Sequence, residues 1–318
     1  MRYKILELLR EKEDYISGEE IGSAFGISRA AVWKNVAILK DEGYDIASVR
    51  NRGYKLMNDG DALNKAEIAI ENCIYYPQTD STSLQAKAIA LKGDFDDGLL
   101  VVCGRQTNGR GRLGRQWEDK GKNVCMSFAF KPDIPPVEAP VLTLVTGIAV
   151  ARALRGYTNL DIAIKWPNDV VVNGKKLCGI LTEMSAEMEK INFVVTGIGI
   201  NVNEDNFSDE LKEKATSLFI ETGKKFKRAE VIRICTEEIL SCYKGFCKQG
   251  FDAFVDEYNS LCMNVGKEVK AIYKDKEITG VAKGVRNDGA LLIKNDSGEE
   301  IVINSGEVSL RLANNKYI

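Results

Sequence analysis

The chain has 318 residues, 44% hydrophobic and 28% charged, with a formal net charge of −2. That is ordinary for a globular protein of two or three domains and too balanced to coat nucleic acid by bulk charge. It has no histidine, which excludes Ser-His-Asp and Cys-His catalysis and histidine-based metal sites, and its eight cysteines, without C-x-x-C spacing, are expected to be reduced and mostly buried. No apolar run is read as membrane-spanning and no secretory signal follows Met1, so a cytoplasmic location without a membrane partner is expected.

From the amino terminus, Tyr3 to Arg10 is amphipathic, with Ile5, Leu6, Leu8 and Leu9 able to face inward. Ser17-Gly18-Glu19-Glu20 fits a capping box opening a short helix that ends near Phe25, with Gly26 at the stop. Ser28 caps a third helix to about Glu42; Val32, Val36 and Leu39 share one face, and Arg29, Trp33, Lys34 and Lys40 fall outside it. Two helices joined in this way form a helix-turn-helix, whose later helix enters the major groove. Ile46–Val49 and Tyr54–Met57 then pair around Arg50-Asn51-Arg52-Gly53, a wing whose two arginines suit backbone phosphate. Ser28, Arg29, Trp33, Lys34, Arg50 and Arg52 are the expected DNA-contacting residues. Trp33 either reads a thymine methyl or packs against the wing, with packing slightly favoured. The competing reading is a small helical cap whose charges are merely solvated.

Asn58-Asp59-Gly60-Asp61 reads as a linker, dividing the chain into a winged helix-turn-helix at 1–60, a large domain at 64–263 and a β-rich domain at 265–318. In the large domain, Leu99–Cys103, Val124–Phe130, Ile162–Trp166, Val170–Val172, Gly179–Glu183 and Phe193–Val202 read as strands. Ser81–Leu91, Val141–Arg155 and Ala229–Lys248 read as helices, and Asn173-Gly174 signals a hairpin. Successive strands with inserted helices argue an α+β fold on a mixed sheet. In the last domain, Val269–Ile272, Ile278–Val285, Ala290–Ile293 and Glu300–Ile303 are expected to close a small SH3-like antiparallel β-barrel.

The densest chemistry lies in Gly109-Arg110-Gly111-Arg112-Leu113-Gly114-Arg115-Gln116-Trp117. Glycine lets backbone approach a ligand closely, and arginine offers a planar fork of donors for phosphate or carboxylate. The three glycines spell G-x-G-x-x-G, but polar Glu118–Asn123 follows where a dinucleotide fold needs a helix. A solvated basic loop or a nucleic-acid contact through Arg105, Arg110, Arg112 and Arg115 is the other competing reading. Farther on, Lys165 ends an alternating segment just before Trp166-Pro167, where proline stops regular pairing and a lysine can reach into a pocket.

These segments together resemble the bifunctional biotin–protein ligases that also repress a biotin operon. The matching parts are the winged helix, Asp80-Ser81-Thr82-Ser83, Gln106 before the Gly-Arg loop, Lys165-Trp166-Pro167-Asn168-Asp169, Lys176-Leu177-Cys178-Gly179-Ile180-Leu181 and Gly197-Ile198-Gly199-Ile200-Asn201. The resemblance implies that biotin and ATP are substrates, with Mg2+ arriving on ATP and no metal site in the protein. Biotinyl-5'-AMP forms first; biotin then passes to a lysine of a carboxyl-carrier acceptor protein. It also implies binding of operator DNA as a repressor, with the adenylate as corepressor and a homodimer in the adenylate-bound state. By the same resemblance Lys165 and Arg112 are the expected catalytic residues. Ser81, Thr82, Ser83, Gln106, Arg110, Gly111, Arg112 and Lys165 would hold biotin, and Arg110, Arg112, Arg115, Trp117 and Asn201 the adenylate. Two positions depart from the family pattern: Ser83 stands where asparagine is frequent, and Cys178 where a small alanine is usual. The latter matters because lipoate- and octanoate-handling enzymes share the catalytic fold and some use a cysteine nucleophile; without histidine, a buried structural thiol is the favoured reading. The alternatives carried are such a lipoate or octanoate ligase or transferase, and a catalytically inactive ligand-sensing repressor.

Overall fold

The structure, a computed structural model, describes residues 1–273, 276–304 and 307–310, so the end of the expected C-terminal domain, 311–318, lies outside the described residues. By internal contacts it divides into two units, Met1–Ala69 with Lys227–Glu230, and Ile70–Phe226 with Val231–Ile318.

The first unit begins with three helices, α1 (Arg2–Glu11), α2 (Gly18–Phe25) and α3 (Arg29–Asp41). Ser17 caps α2, its Oγ accepting from Glu20 N at 3.0 Å, and Gly26 ends it at φ 66°. Ser28 caps α3 by accepting from Ala31 N at 3.2 Å. Ile5, Leu6, Leu9, Ile21, Val32, Val36 and Leu39 form the core between them. Trp33 is 65% exposed, which corrects the preference for packing against the wing.

The wing is an antiparallel hairpin, β1 (Asp45–Val49) and β2 (Gly53–Asn58), extended by a bridge from Ile16 to Tyr54. Gly53 sits at φ 102°, and a Cβ there would lie 2.0 Å from the Ile16 carbonyl oxygen. Gly53→Ala is therefore expected to destabilise this unit by about 1–3 kcal/mol, because backbone must move on both sides of the bridge. Calorimetry of the full chain checks this; an unchanged low-temperature transition would show that the wing re-forms around a side chain.

The segment expected to be a linker is held within the first unit. Arg10 bonds Asp59 at 2.8 Å and Glu67 at 2.9 Å, and Tyr44 OH donates to Glu67 at 2.6 Å. A four-residue helix, α4 (Lys65–Ile68), follows, capped by Asn64.

The second unit is built on a seven-stranded sheet. Its strands are β3 (Cys73–Thr79), β4 (Leu99–Gln106), β7 (Val124–Phe130), β8 (Ile162–Lys165), β9 (Asp169–Val172), β10 (Lys175–Glu187) and β11 (Lys190–Ile200). The order is β3-β4-β7-β11-β10-β9-β8, parallel only between β3 and β4. Two short strands, β5 (Gly109–Arg110) and β6 (Gln116–Trp117), pair outside it. The Asn173-Gly174 turn joins β9 to β10 with φ 51° and 76°, the paired positive values of a type I′ hairpin. Helices α5 (Thr82–Ala90) and α6 (Leu142–Thr158) pack on the sheet. Contrary to expectation, Pro136–Thr158 is long and apolar enough to cross a membrane, but 72% of its most apolar stretch is buried, where α6 meets β8, β9 and β10.

After β11 come α7 (Leu218–Thr222), α8 (Arg228–Gln249) and α9 (Val255–Leu261). A small antiparallel sheet follows: β12 (Glu268–Tyr273), β13 (Lys276–Val285), β14 (Leu291–Lys294), β15 (Glu300–Ile303) and β16 (Glu307–Leu310), in the order β15-β14-β13-β12-β16. Trp166, expected inside a strand, lies beyond the end of β8 and is 2% exposed. Its backbone N–H donates to Asn264 Oδ1 at 2.8 Å and its indole N–H to Gly289 O at 3.1 Å, pinning the small sheet to the large one.

Candidate active site

One face of the large sheet carries a small open cleft. Its polar floor is assembled from three elements. β4 delivers Gln106 at its end, where Oε1 accepts from Thr82 N at 2.8 Å. The first turn of α5 delivers Thr82 and Ser83, whose hydroxyls meet Ser127 Oγ on β7 at 2.8 and 3.0 Å. Because these hydroxyls bond each other while buried, they hold fixed directions toward the cavity. A Cβ at Gly197 would lie 2.3 Å from Ser83 Oγ, so only glycine lets this cluster approach β11. Asp80 accepts from Gln85, Ser81 N and Thr79, and these bonds, the Gln85 one foremost, hold its carboxyl below the usual aspartate range.

The Gly-Arg segment covers this floor. β5 and β6 pair Gly109 with Trp117 and Arg110 with Gln116, so the loop between them is a small ribbon. A Cβ at Gly109 would lie 2.4 Å from Trp117 O and 2.7 Å from Gln106 Nε2, which is why glycine stands there. At the tip, Leu113 takes φ 55° while 76% exposed, a strained conformation that a side chain rarely adopts. The Trp117 ring lies on Gly199 and Gly179, neighbours across β11 and β10; a Cβ at Gly199 would fall 2.4 Å from Cε2. Trp117 Nε1 is buried without a hydrogen-bond partner.

Three cations border the cleft. Arg110 Nη1 lies 3.5 Å from Glu183 Oε1, Arg112 Nη1 donates to Asn168 Oδ1 at 2.8 Å, and Lys176 Nζ lies 2.7 Å from Asp169 Oδ1. Lys176 is also 5.9 Å from the Trp117 ring centroid. An anion entering here meets one lysine and two arginines.

Of the residues expected from sequence, Ser81, Thr82, Ser83, Gln106, Arg110, Gly111, Arg112 and Trp117 line the cleft, Lys165 lies on the same sheet face, and Arg115 and Asn201 stand outside the lining. Lys165 belongs to the cross-strand row Lys165–Asp169–Gly179–Gly199, two strands out from Gly179. At a strand spacing of about 4.8 Å, its backbone stands about 10 Å from that of Gly179, with Asp169 between. Asn201 is 4% exposed, and its amide donates to Thr216 O at 3.0 Å and Lys176 O at 3.5 Å, so it clamps the backbone that carries Lys176.

Sequence reasoning missed Lys176, Asn168 and the glycines of β10 and β11 as lining residues, and Ser127 as the hydroxyl that ties Thr82 and Ser83 together. Strict alternation from Gly179 would put Leu177, not Lys176, on the cleft face. The register slips between Lys176 and Cys178, and the bulge brings the lysine round. Cys178 is fully buried, and burial pushes its thiol well above the usual cysteine range, so it stays protonated.

In the first unit, Arg29, Trp33 and Lys34 are exposed on α3, while the Ser28 hydroxyl is engaged in capping. Arg50 and Arg52 are exposed at the wing tip, with Arg52 3.3 Å from Asp14 and stacked over Tyr15 at 4.4 Å.

A winged helix on the same chain as a cationic, hydroxyl-floored cleft under a glycine-arginine ribbon is the architecture of an enzyme of small anionic ligands with a DNA-binding head. Residues 2–55 match an HTH domain, 75–201 the biotin/lipoate A/B protein ligase family and 265–311 the biotin protein ligase C-terminal domain. The chain is 37% identical over 314 residues to the bifunctional ligase/repressor BirA of Bacillus spizizenii, covering 94% of this chain and 95% of that one. To BirA of Escherichia coli it is 30% identical, covering 98% and 97%. A solved biotin protein ligase from Aquifex aeolicus, in complex with biotin and ATP, superposes with a TM-score of 0.67 at 35% identity, covering 77% of this chain and all of that one. The chain belongs to the biotin protein ligase family, among its bifunctional ligase/repressors.

Proposed function

We propose that this protein activates biotin with ATP, transfers it to a lysine of a carboxyl-carrier acceptor protein, and represses biotin genes through its winged helix with biotinyl-5'-AMP as corepressor. The observation that carries this reading is the meeting of a fixed hydroxyl and amide floor with Arg110, Arg112 and Lys176 on one sheet face. The work divides among 1–60 for DNA, 64–263 for catalysis and 265–318 as a packing module.

In the first step a biotin carboxylate oxygen attacks the α-phosphorus of ATP. The new P–O bond forms as the bond to pyrophosphate breaks, and pyrophosphate leaves. Two anions must meet, so the cations have to offset their repulsion and stabilise the charge on phosphorus. We assign this role to Lys165 and Arg112, with Arg110 and Lys176 beside them. Ser81, Thr82, Ser83 and Gln106 hold the ureido head, and Gly111 lets the ribbon close over it. The buried Trp117 Nε1 offers the adenylate side a donor. Arg115 lies on the same loop and Asn201 acts through the Lys176 backbone. Mg2+ is proposed to travel on the phosphates of ATP. In the second step the neutral acceptor amine attacks the acyl carbon and AMP leaves with the bonding electrons; no protein nucleophile is needed. Closure of the ribbon keeps water from the adenylate.

The test is biotin-dependent exchange of labelled pyrophosphate into ATP, with lipoate as a parallel substrate. Exchange with biotin alone is expected. Exchange with lipoate alone would move the chain to the lipoate-handling branch, and exchange with neither would leave a ligand-sensing repressor. Ordering of the ribbon by adenylate, dimerisation and binding of a two-fold operator follow in this reading. Sedimentation with and without biotin and ATP checks the dimer.

A further inference from the structure

We infer that Trp33 reads sequence, by seating its indole against the C5-methyl of a thymine in the major groove; this rests on the DNA-binding half of the proposed function. Trp33 is 65% exposed, more than any other aromatic side chain among the described residues. It stands on the second turn of α3, in the N-terminal half where a recognition helix meets base edges. Val32, Val36 and Leu39 bury a stripe about a quarter-turn away in the core, and the indole stands outside it. Ala30 and Ala37 flank it on the outer face and leave the ring standing clear. Arg29 lies one turn before it and Lys34 beside it, and the first two turns of α3 carry no acidic side chain. Helical side chains lean toward the N-terminus, which carries the indole toward the end of α3 that enters a groove.

A large apolar ring within a basic, acid-free face fits a partner that is polyanionic outside and presents apolar groups in its interior. Duplex DNA has that character, and the thymine methyl is the apolar group its major groove displays. Arg29 and Lys34 supply charge for phosphate, which positions but does not specify. The ring then distinguishes a T·A pair from the other three.

The test is selection of duplexes from a random-sequence library by the full chain with biotin, ATP and Mg2+, for wild type and Trp33→Ala. Because Trp33 is exposed, the substitution is expected to leave pyrophosphate exchange and thermal unfolding unchanged, which establishes that the variant is folded. Wild type is expected to enrich a two-fold motif with a thymine in each half-site whose preference Trp33→Ala loses. Replacing that thymine by uracil, which lacks only the methyl, should weaken wild-type binding about fourfold and leave the variant unchanged. An enriched motif shared equally by both proteins, a variant weakened equally on every sequence, or the absence of a uracil effect would overturn the role of Trp33. Enrichment of nothing by wild type would instead overturn the DNA-binding reading on which it rests.

Discussion

Lys165→Ala and Lys176→Ala are each expected to lower biotin-dependent pyrophosphate exchange by about 10²–10³-fold. Both follow from placement. Lys176 lines the cleft, and Lys165 stands in the cross-strand row of Gly179 on the same sheet face. A cation fixed where charge develops on phosphorus costs little reorganisation during the reaction, so its removal falls mainly on the transition state. The Lys176 side chain is 35% exposed and the Asp169 side chain 25%, so their ion pair contributes little to folding, and the variant should melt close to wild type. Steady-state exchange at several biotin concentrations separates a loss in kcat from one in KM. If either variant kept wild-type exchange, its lysine would not be catalytic and that assignment would fail.

Gly199→Ala is expected to reduce kcat/KM for exchange by about 10–100-fold, since misplacing a site by about 1 Å can cost that much. The added methyl would sit 2.4 and 2.6 Å from Trp117 Cε2 and Cζ2, in the body of a rigid ring. Trp117 must then lift, and because it pairs with Gly109 in the ribbon, Arg110 and Arg112 move with it. Gly111→Ala is a useful contrast, because its nearest heavy atom would be 3.4 Å away. Overpacking of this kind costs about 1–3 kcal/mol, visible as earlier unfolding. In the double variant Gly199→Ala, Trp117→Ala the clash is gone, so stability should recover relative to Gly199→Ala alone. Additive losses would mean that ring and glycine do not meet in solution.

The winged helix was the most legible part of the chain. Ser17, Gly26 and Ser28 act locally, through caps and a turn that require few residues and no distant partner. The Gly-Arg loop was legible for a similar reason, since Gly109 answers to a close approach. The tip was not: the left-handed torsion at Leu113 falls on a residue from which no sequence rule would expect it. β3 escaped notice because Tyr75, Tyr76 and Pro77 break clean alternation, and its pairing with β4 is long-range. The place of Lys176 was not legible either, for a physical reason. A single bulge reverses which side chains face the cleft, and bulges leave no mark in an alternation pattern.

The chain holds three tryptophans, and the fold distributes them: Trp33 exposed on α3, Trp117 over the glycines of the cleft, and Trp166 buried where the small sheet is pinned. Each therefore works as a built-in optical probe of one event. Emission from Trp33 should lie to the red and respond to DNA, that of Trp166 to the blue and respond to unfolding, and that of Trp117 to whatever occupies the cleft. Single-tryptophan variants would thus let the order of ligand capture, DNA engagement and melting be timed in unlabelled protein.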